Sequence, residues 1–150
     1  MRSDLGSVAE LASQLLRSGA PLRIKARGGS MIPFILDGDV VRVSPAGNSA
    51  ILVGDVVCYE TSPGRLFLHR VIKRDREQFV TKGDALDFTD LVSAGQVLGK
   101  VVAIERRGRV RRFDTARWRN RVIAFLSPFL SGLLPLAIRV RRLWRAALSG

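Results

Sequence analysis

Residues 65–90, "RLFLHRVIKRDREQFVTKGDALDFTD", decide the fold class. In "RLFLHRVI" strand alternation puts Phe67, His69 and Val71 on one face, with Leu68, Arg70 and Ile72 on the other. "QFVTK", residues 78–82, reads as a further strand, and "TKGDALDFTD", residues 81–90, as a Gly-containing loop that carries Asp84, Asp87 and Asp90. Outward from this stretch the same pattern of strand and turn runs from Leu22 to about Phe113. "LRIKAR" at 22–27 alternates apolar and basic residues, and "VLGKVVAI" at 97–104 is rich in β-branched ones. "GDVVRV" at 38–43 and "GDVVCY" at 54–59 each set Gly-Asp before a β-branched run, which reads as two similar turns and not as a repeated domain. The expectation is a mainly β fold of about six short strands, with sheets curling around a core.

The chain of 150 residues is long enough for one domain with a buried core, and 47% apolar residues exclude a disordered chain. Cys58 is the single cysteine, so no internal disulfide forms, and one His with one Cys does not make a His/Cys zinc site. No metal and no cofactor are expected. The formal charge of +12 invites a nucleic-acid reading until it is divided along the chain. Residues 1–99 hold 12 Lys and Arg against 11 Asp and Glu, a net of +1, whereas residues 100–150 hold 13 against 2, a net of +11. The basic character belongs to a C-terminal appendage, and nucleic acid is not the expected partner.

Three regions are expected: an amphipathic helix within 1–21, a β-rich domain at 22–114 and a basic, apolar tail at 115–150. No apolar h-region follows Met1 and Arg2, so a cleavable leader is not expected there. Ser7 and Glu10 form a candidate capping box for a helix over residues 7–17, with Val8, Leu11, Ala12, Leu15 and Leu16 at helical spacing. In the tail, Arg117, Arg119 and Arg121 precede "VIAFLSPFLSGLLPLAI", seventeen uncharged residues from Val122 to Ile138, and Arg139, Arg141, Arg142 and Arg145 follow. As a helix this run reaches about 26 Å at about 1.5 Å per residue, short of a hydrocarbon core of about 30 Å. Pro128 and Pro135 are disfavoured in a water-exposed helix and better tolerated in lipid. Arginines at both ends suit anionic headgroups but give no orientation under the positive-inside rule. The expectation is an apolar helical segment that associates with an anionic membrane by spanning it or lying in its plane, with a hairpin packed on the β domain as the other arrangement.

The approach to the first long strand is unusual: "RGGSMIP", residues 27–33, places Ser30 on a flexible Gly-Gly lead. A serine hydroxyl is a weak nucleophile until a base takes its proton, and that base works best when a carboxylate orients it. His69 is the one imidazole in the chain, and apolar neighbours on its strand face would keep it neutral. Taken alone, such a histidine also reads as a satisfied core residue, and three nearby acids also read as a solvated turn. Cys58 beside Val57 and Tyr59 reads as inert core more readily than as a thiol nucleophile.

The order of these elements resembles the type I signal peptidases, in the wider clan of serine peptidases that includes the LexA-like self-cleaving repressors. The resemblance covers roughly residues 22–105 and rests on Gly29-Ser30-Met31-x-Pro33, Gly38-Asp39, Gly54-Asp55-Val56-Val57, His69-Arg70-Val71-Ile72 and Thr81-Lys82-Gly83-Asp84. Many bacterial members use lysine as base where this chain has His69; histidine there is similar to the archaeal and endoplasmic-reticulum type. The resemblance implies a curled signal-peptidase/LexA-like β fold. It further implies Ser30 as nucleophile, His69 as general base, Asp90 as the orienting carboxylate and Asp84 as a second, supporting carboxylate. It also implies an oxyanion hole that uses the Ser30 N–H. Gly28 stands where the family often has a serine side-chain donor, so the second oxyanion donor is left open. The implied activity is endoproteolysis of signal or leader peptides from precursor proteins at a membrane. Two other classes remain: a LexA-like self-cleaving regulator, for which the first twenty residues are too short to hold a helix-turn-helix, and a non-enzymatic adaptor that binds through its basic tail.

Overall fold

The computed structural model describes residues 2–113, with side chains from Val8 onward; residues 114–150, and with them the expected tail and its apolar segment, lie outside the described residues. Helix α1 (Arg2–Arg17) is followed by β1 (Leu22–Lys25), β2 (Val40–Pro45), β3 (Val56–Ser62), β4 (Arg65–Arg74), β5 (Gln78–Lys82), β6 (Thr89–Ser93), β7 (Val97–Arg106) and β8 (Arg109–Arg112). The protein is mainly β, as the alternation predicted. The strands form one antiparallel sheet in the order β1-β2-β7-β3-β4-β5-β6, with β8 paired to β7. Two strands exceed the sequence expectation. β6 begins inside the stretch read as a loop, and β8 is a short all-exposed strand of mostly arginines without an apolar face to announce it.

The two Gly-Asp turns are built alike. Gly38 and Gly54 have φ of 87° and 98°, a left-handed backbone that glycine adopts without steric cost. In each, the aspartate side chain accepts from the backbone N–H three residues earlier, Leu36 N to Asp39 at 2.8 Å and Leu52 N to Asp55 at 3.0 Å. Each aspartate then pins β7: Asp39 takes a two-point bond from Arg106, and Asp55 meets Lys100 Nζ at 3.3 Å. The Arg106 guanidinium holds the Asp39 carboxyl below the usual carboxylate range. Where the end of β2 pairs with β7 there is room only for glycine, since a Cβ on Gly99 would stand 2.4 Å from Ser44 O.

The first four residues of β3 are buried on both faces, which is why "VVCY" shows no polar alternation. Val56 and Cys58 join Val41, Val43, Leu98, Val101, Ile104, Met31 and Ile35 in one core. Val57 and Tyr59 join Ile51, Val71, Phe79 and Val92 in the second. Each fully buried aliphatic side chain here is worth about 1.5–3 kcal/mol relative to exposure. Register shifts at Arg42/Val43, Cys58/Tyr59, Glu60/Ser62 and Val71/Lys73 interrupt the ladders, each a β-bulge or another irregularity of pairing.

Helix α1 starts well before Ser7, so that residue is inside the helix and not its N-cap, contrary to the capping-box expectation. The helix ends as the sequence suggested, at Gly19 (φ 91°). Ala20 N donates to Leu15 O at 3.0 Å and Gly19 N to Leu16 O at 3.1 Å, the pair of bonds that closes a helix through a left-handed glycine. Of the expected apolar stripe, Leu16 is buried in the first core, while Val8, Leu11 and Leu15 stay exposed. No helix among the described residues is long and apolar enough to cross a membrane.

Candidate active site

Ser30 is half-buried in a turn held from both sides. Met31 and Ile35 anchor it in the first core, and the Met31 carbonyl accepts from Phe34 N and Ile35 N, each at 3.0 Å. Gly28, at φ 83°, gives its N–H to Asp37 Oδ1 at 2.9 Å, so that donor is already engaged within the turn. Ser30 O accepts from Ala85 N at 2.9 Å, which ties the serine to the loop between β5 and β6. Gly83 makes that approach possible. A Cβ there would lie 2.7 Å from Ser30 O and 2.7 Å from Leu86 Cδ1, closer than real Cβ contacts come.

Asp90 follows this loop on β6, and His69 is on β4, which pairs with β5. Lys82 at the end of β5 is opposite Arg70 of β4, next to His69, and Thr81 is opposite Asp90 of β6. Asp90 therefore belongs to a strand, not to the loop in which the sequence reading placed it. Cross-strand partners share a face, so Val71, Thr81 and Asp90 line up on the face that carries His69. His69 Nδ1 lies 3.0 Å from Asp90 Oδ2, with the imidazole side chain 5% and the carboxylate 38% exposed. Burial lowers the His69 pKa from its ordinary value, against the opposing pull of the Asp90 charge and hydrogen bond. A neutral imidazole held by a carboxylate through Nδ1 has the state required of a general base. Among the described residues no hydrogen bond joins Ser30 Oγ to His69; such bonds commonly tighten when substrate binds.

Asp84 is engaged elsewhere. Both its oxygens accept from Arg70, Oδ1 from Nε at 2.8 Å and Oδ2 from Nη2 at 2.7 Å, while Arg70 Nη1 donates to Gly54 O at 2.8 Å. The guanidinium also lies over the Phe34 ring at 5.4 Å and the Phe113 ring at 5.9 Å. Arg70 is fully buried and thus joins the Ser30 turn, the second Gly-Asp turn and the loop after β5. Asp84 is thus bound to Arg70, and its charge is a lesser influence on His69 than Asp90.

Tyr59 belongs to the site and escaped the sequence reading. Its hydroxyl donates to Asp90 Oδ2 at 3.0 Å and stands 2.8 Å from His69 Nδ1. The available signal was pairing: once β3 and β4 are in register, Tyr59 is opposite Phe67 and therefore on the His69 face. Burial pushes the Tyr59 pKa up, so its hydroxyl stays protonated. Cys58 faces the other core, and burial pushes its thiol pKa up to about 12, which leaves it neither deprotonated nor directed at His69. Among the described residues no three His, Cys, Asp or Glu side chains gather as metal ligands. The sequence matches no protein-family model and no curated protein.

Proposed function

We propose that this protein is a serine endopeptidase of the signal-peptidase type, with a signal-peptidase/LexA-like fold, that removes signal or leader peptides from precursor proteins at or near a membrane. The observation that carries the reading is the 3.0 Å contact of buried His69 Nδ1 with Asp90 Oδ2, next to a loop that is hydrogen-bonded to the Ser30 backbone. With Nδ1 engaged by the carboxylate, Nε2 is the nitrogen left for the serine proton. Ser30 Oγ attacks the scissile carbonyl carbon while Nε2 takes its proton. The imidazolium, stabilised by Asp90, then protonates the leaving amine as the C–N bond breaks, and water resolves the acyl-serine with His69 again as base. The Ser30 N–H is the proposed oxyanion donor, and losing one such donor typically costs about 10²–10³ in rate.

A place for the peptide supports the reading. Among the described residues β1 pairs with β2 alone, and the first half of β4 pairs with β3 alone, which leaves an unpaired backbone edge on each. These edges border an apolar groove of about 660 Å³ lined by Leu22, Ile24, Leu66 and Leu68, with Leu11 and Leu15 of α1. An extended peptide pairs with a free strand edge through its main chain and fills apolar pockets with alternate side chains. Residues 115–150 are the proposed contact with anionic lipid. The test is mass spectrometry of protein N-termini from cells that carry wild type or Ser30→Ala. Precursors with uncut leaders are expected to accumulate in the variant, and identical N-termini in both strains would overturn the proposal.

A further inference from the structure

The hydroxyl of Tyr59, Nδ1 of His69 and Oδ2 of Asp90 form a triangle with sides of 2.8, 3.0 and 3.0 Å. The Tyr59 ring is 1% exposed and stacked on Phe67, with centroids 5.8 Å apart, so the hydroxyl is fixed in place. When the imidazole is neutral, two protons serve these three atoms: the hydroxyl's own and the single ring proton. An ionised carboxylate can only accept. It therefore draws both, from the tyrosine and from Nδ1–H, and Nε2 keeps its lone pair. With the carboxylate removed, the hydroxyl can turn its proton to Nδ1, 2.8 Å away. Donation to Nδ1 requires the ring proton to sit on Nε2, where it blocks the atom that must accept from serine.

We infer that the Tyr59 hydroxyl is a positioning group that couples the His69 tautomer to the Asp90 carboxylate. It leaves Nδ1 protonated while the carboxylate accepts from both groups, and holds the ring proton on Nε2 when the carboxylate is removed. The base is thus open only with the Asp90 carboxylate in place. The other acid that influences the imidazole is Asp84, and Arg70 holds it through two bonds, so it does not compete for the hydroxyl. On the Asp90 side, Thr81 Oγ1 reaches the Asp90 backbone carbonyl at 3.5 Å, and the Thr81 hydroxyl also hydrogen-bonds the Tyr59 oxygen as a donor, which leaves the tyrosine's own proton for Asp90 or Nδ1. The consequence for cleavage rests on the peptidase reading; the tautomer itself does not.

The chain has one histidine, so ¹⁵N NMR of the labelled full-length protein reads a single ring without ambiguity. At about pH 8, above the ordinary histidine range, wild type is expected to carry its proton on Nδ1. Tyr59→Phe is expected to leave it there, because Asp90 still accepts. Asp90→Ala is expected to move it to Nε2. Adding Tyr59→Phe to Asp90→Ala should lower the Nε2–H to Nδ1–H ratio about fivefold, the worth of one hydrogen bond. The double variant should then cleave faster than Asp90→Ala by a similar factor. Wild type with its proton on Nε2, or an equal ratio in Asp90→Ala with and without Tyr59, would overturn the inference. Asp90→Val, with a β-branched side chain suited to a strand, repeats the comparison if the alanine variant does not fold. If no Ser30-dependent cleavage exists, the peptidase reading fails, and the tautomer ratios still decide this inference separately.

Discussion

Replacing Asp84 by asparagine separates the two carboxylates that the sequence offers as partners for the base. Arg70 is 0% exposed and Asp84 2%, and two of the three side-chain hydrogen bonds of Arg70 end on this carboxylate. Asparagine keeps the shape but turns one acceptor oxygen into an amide donor that faces an N–H. It also leaves the guanidinium buried without a counter-charge. Removing one partner of a buried pair typically costs about 3–5 kcal/mol. For a domain of this size each kcal/mol moves Tm by about 4 °C, so a fall of about 12–20 °C is expected by calorimetry. Cleavage per folded molecule should stay within about tenfold of wild type, because a residue that acts through another's position usually affects rate less than one that holds the base. Arg70→Met with Asp84→Leu, which removes both charges, is expected to recover much of the lost stability, since apolar replacements of buried pairs are often neutral or better. An unchanged Tm together with a rate loss of about 10³ or more would mean that Asp84, not Asp90, orients His69.

Gly83→Ala is expected to push the loop after β5 away from Ser30, because its Cβ would meet Ser30 O at 2.7 Å; kcat should fall more than KM changes, and a wild-type kcat would show that this contact does not position the serine. Burial lowers the His69 pKa, so the acid limb of kcat/KM is expected below pH 6.5, and a limb that rises only above about pH 9 would point to a lysine base such as Lys82. Stability follows the same group: the unfolded state takes up the proton first, so this contribution is complete above pH 6.5. It declines as pH falls toward the folded pKa, by up to about 1.4 kcal/mol per unit, which denaturant titration at stepped pH measures. A chain ending at Asp114 is expected to lose membrane association yet still hydrolyse a soluble peptide, while full-length protein stays on anionic vesicles after a high-salt wash. Unfolding of the shortened chain would show that residues 115–150 pack on the β domain instead.

Much of this was legible where physics acts locally. Period-two alternation marked β4 and β5, and paired Gly-Asp steps marked two turns of one design. A glycine after periodic apolar residues marked the end of α1. What stayed hidden depended on partners distant in sequence. Asp90 looked like a loop residue because "DFTD" has no apolar alternation of its own, and it becomes strand only through pairing with β5. Alternation sets Arg70 on the face opposite His69, but nothing nearby foretells a fully buried guanidinium, since Asp84, Gly54, Phe34 and Phe113 come from four separate segments. Tyr59 was missed because a tyrosine in an apolar strand reads as core until strand register sets its hydroxyl beside His69. The glycine-rich Ser30 turn is legible in the sequence, yet the glycine that admits its carbonyl, Gly83, lies in the later loop.

The most direct measurement is digestion of a complex mixture of unfolded peptides by purified full-length protein, with cleavage sites and rates followed by mass spectrometry for wild type, Ser30→Ala, His69→Ala and Asp90→Asn. Wild type is expected to cut at a restricted set of sites, Ser30→Ala and His69→Ala to give no cleavage above background, and Asp90→Asn to be slowed by about 10³–10⁴ with its fold intact. Cleavage by Ser30→Ala at the wild-type rate would contradict the serine mechanism, and cleavage by none of the four would contradict the peptidase assignment itself.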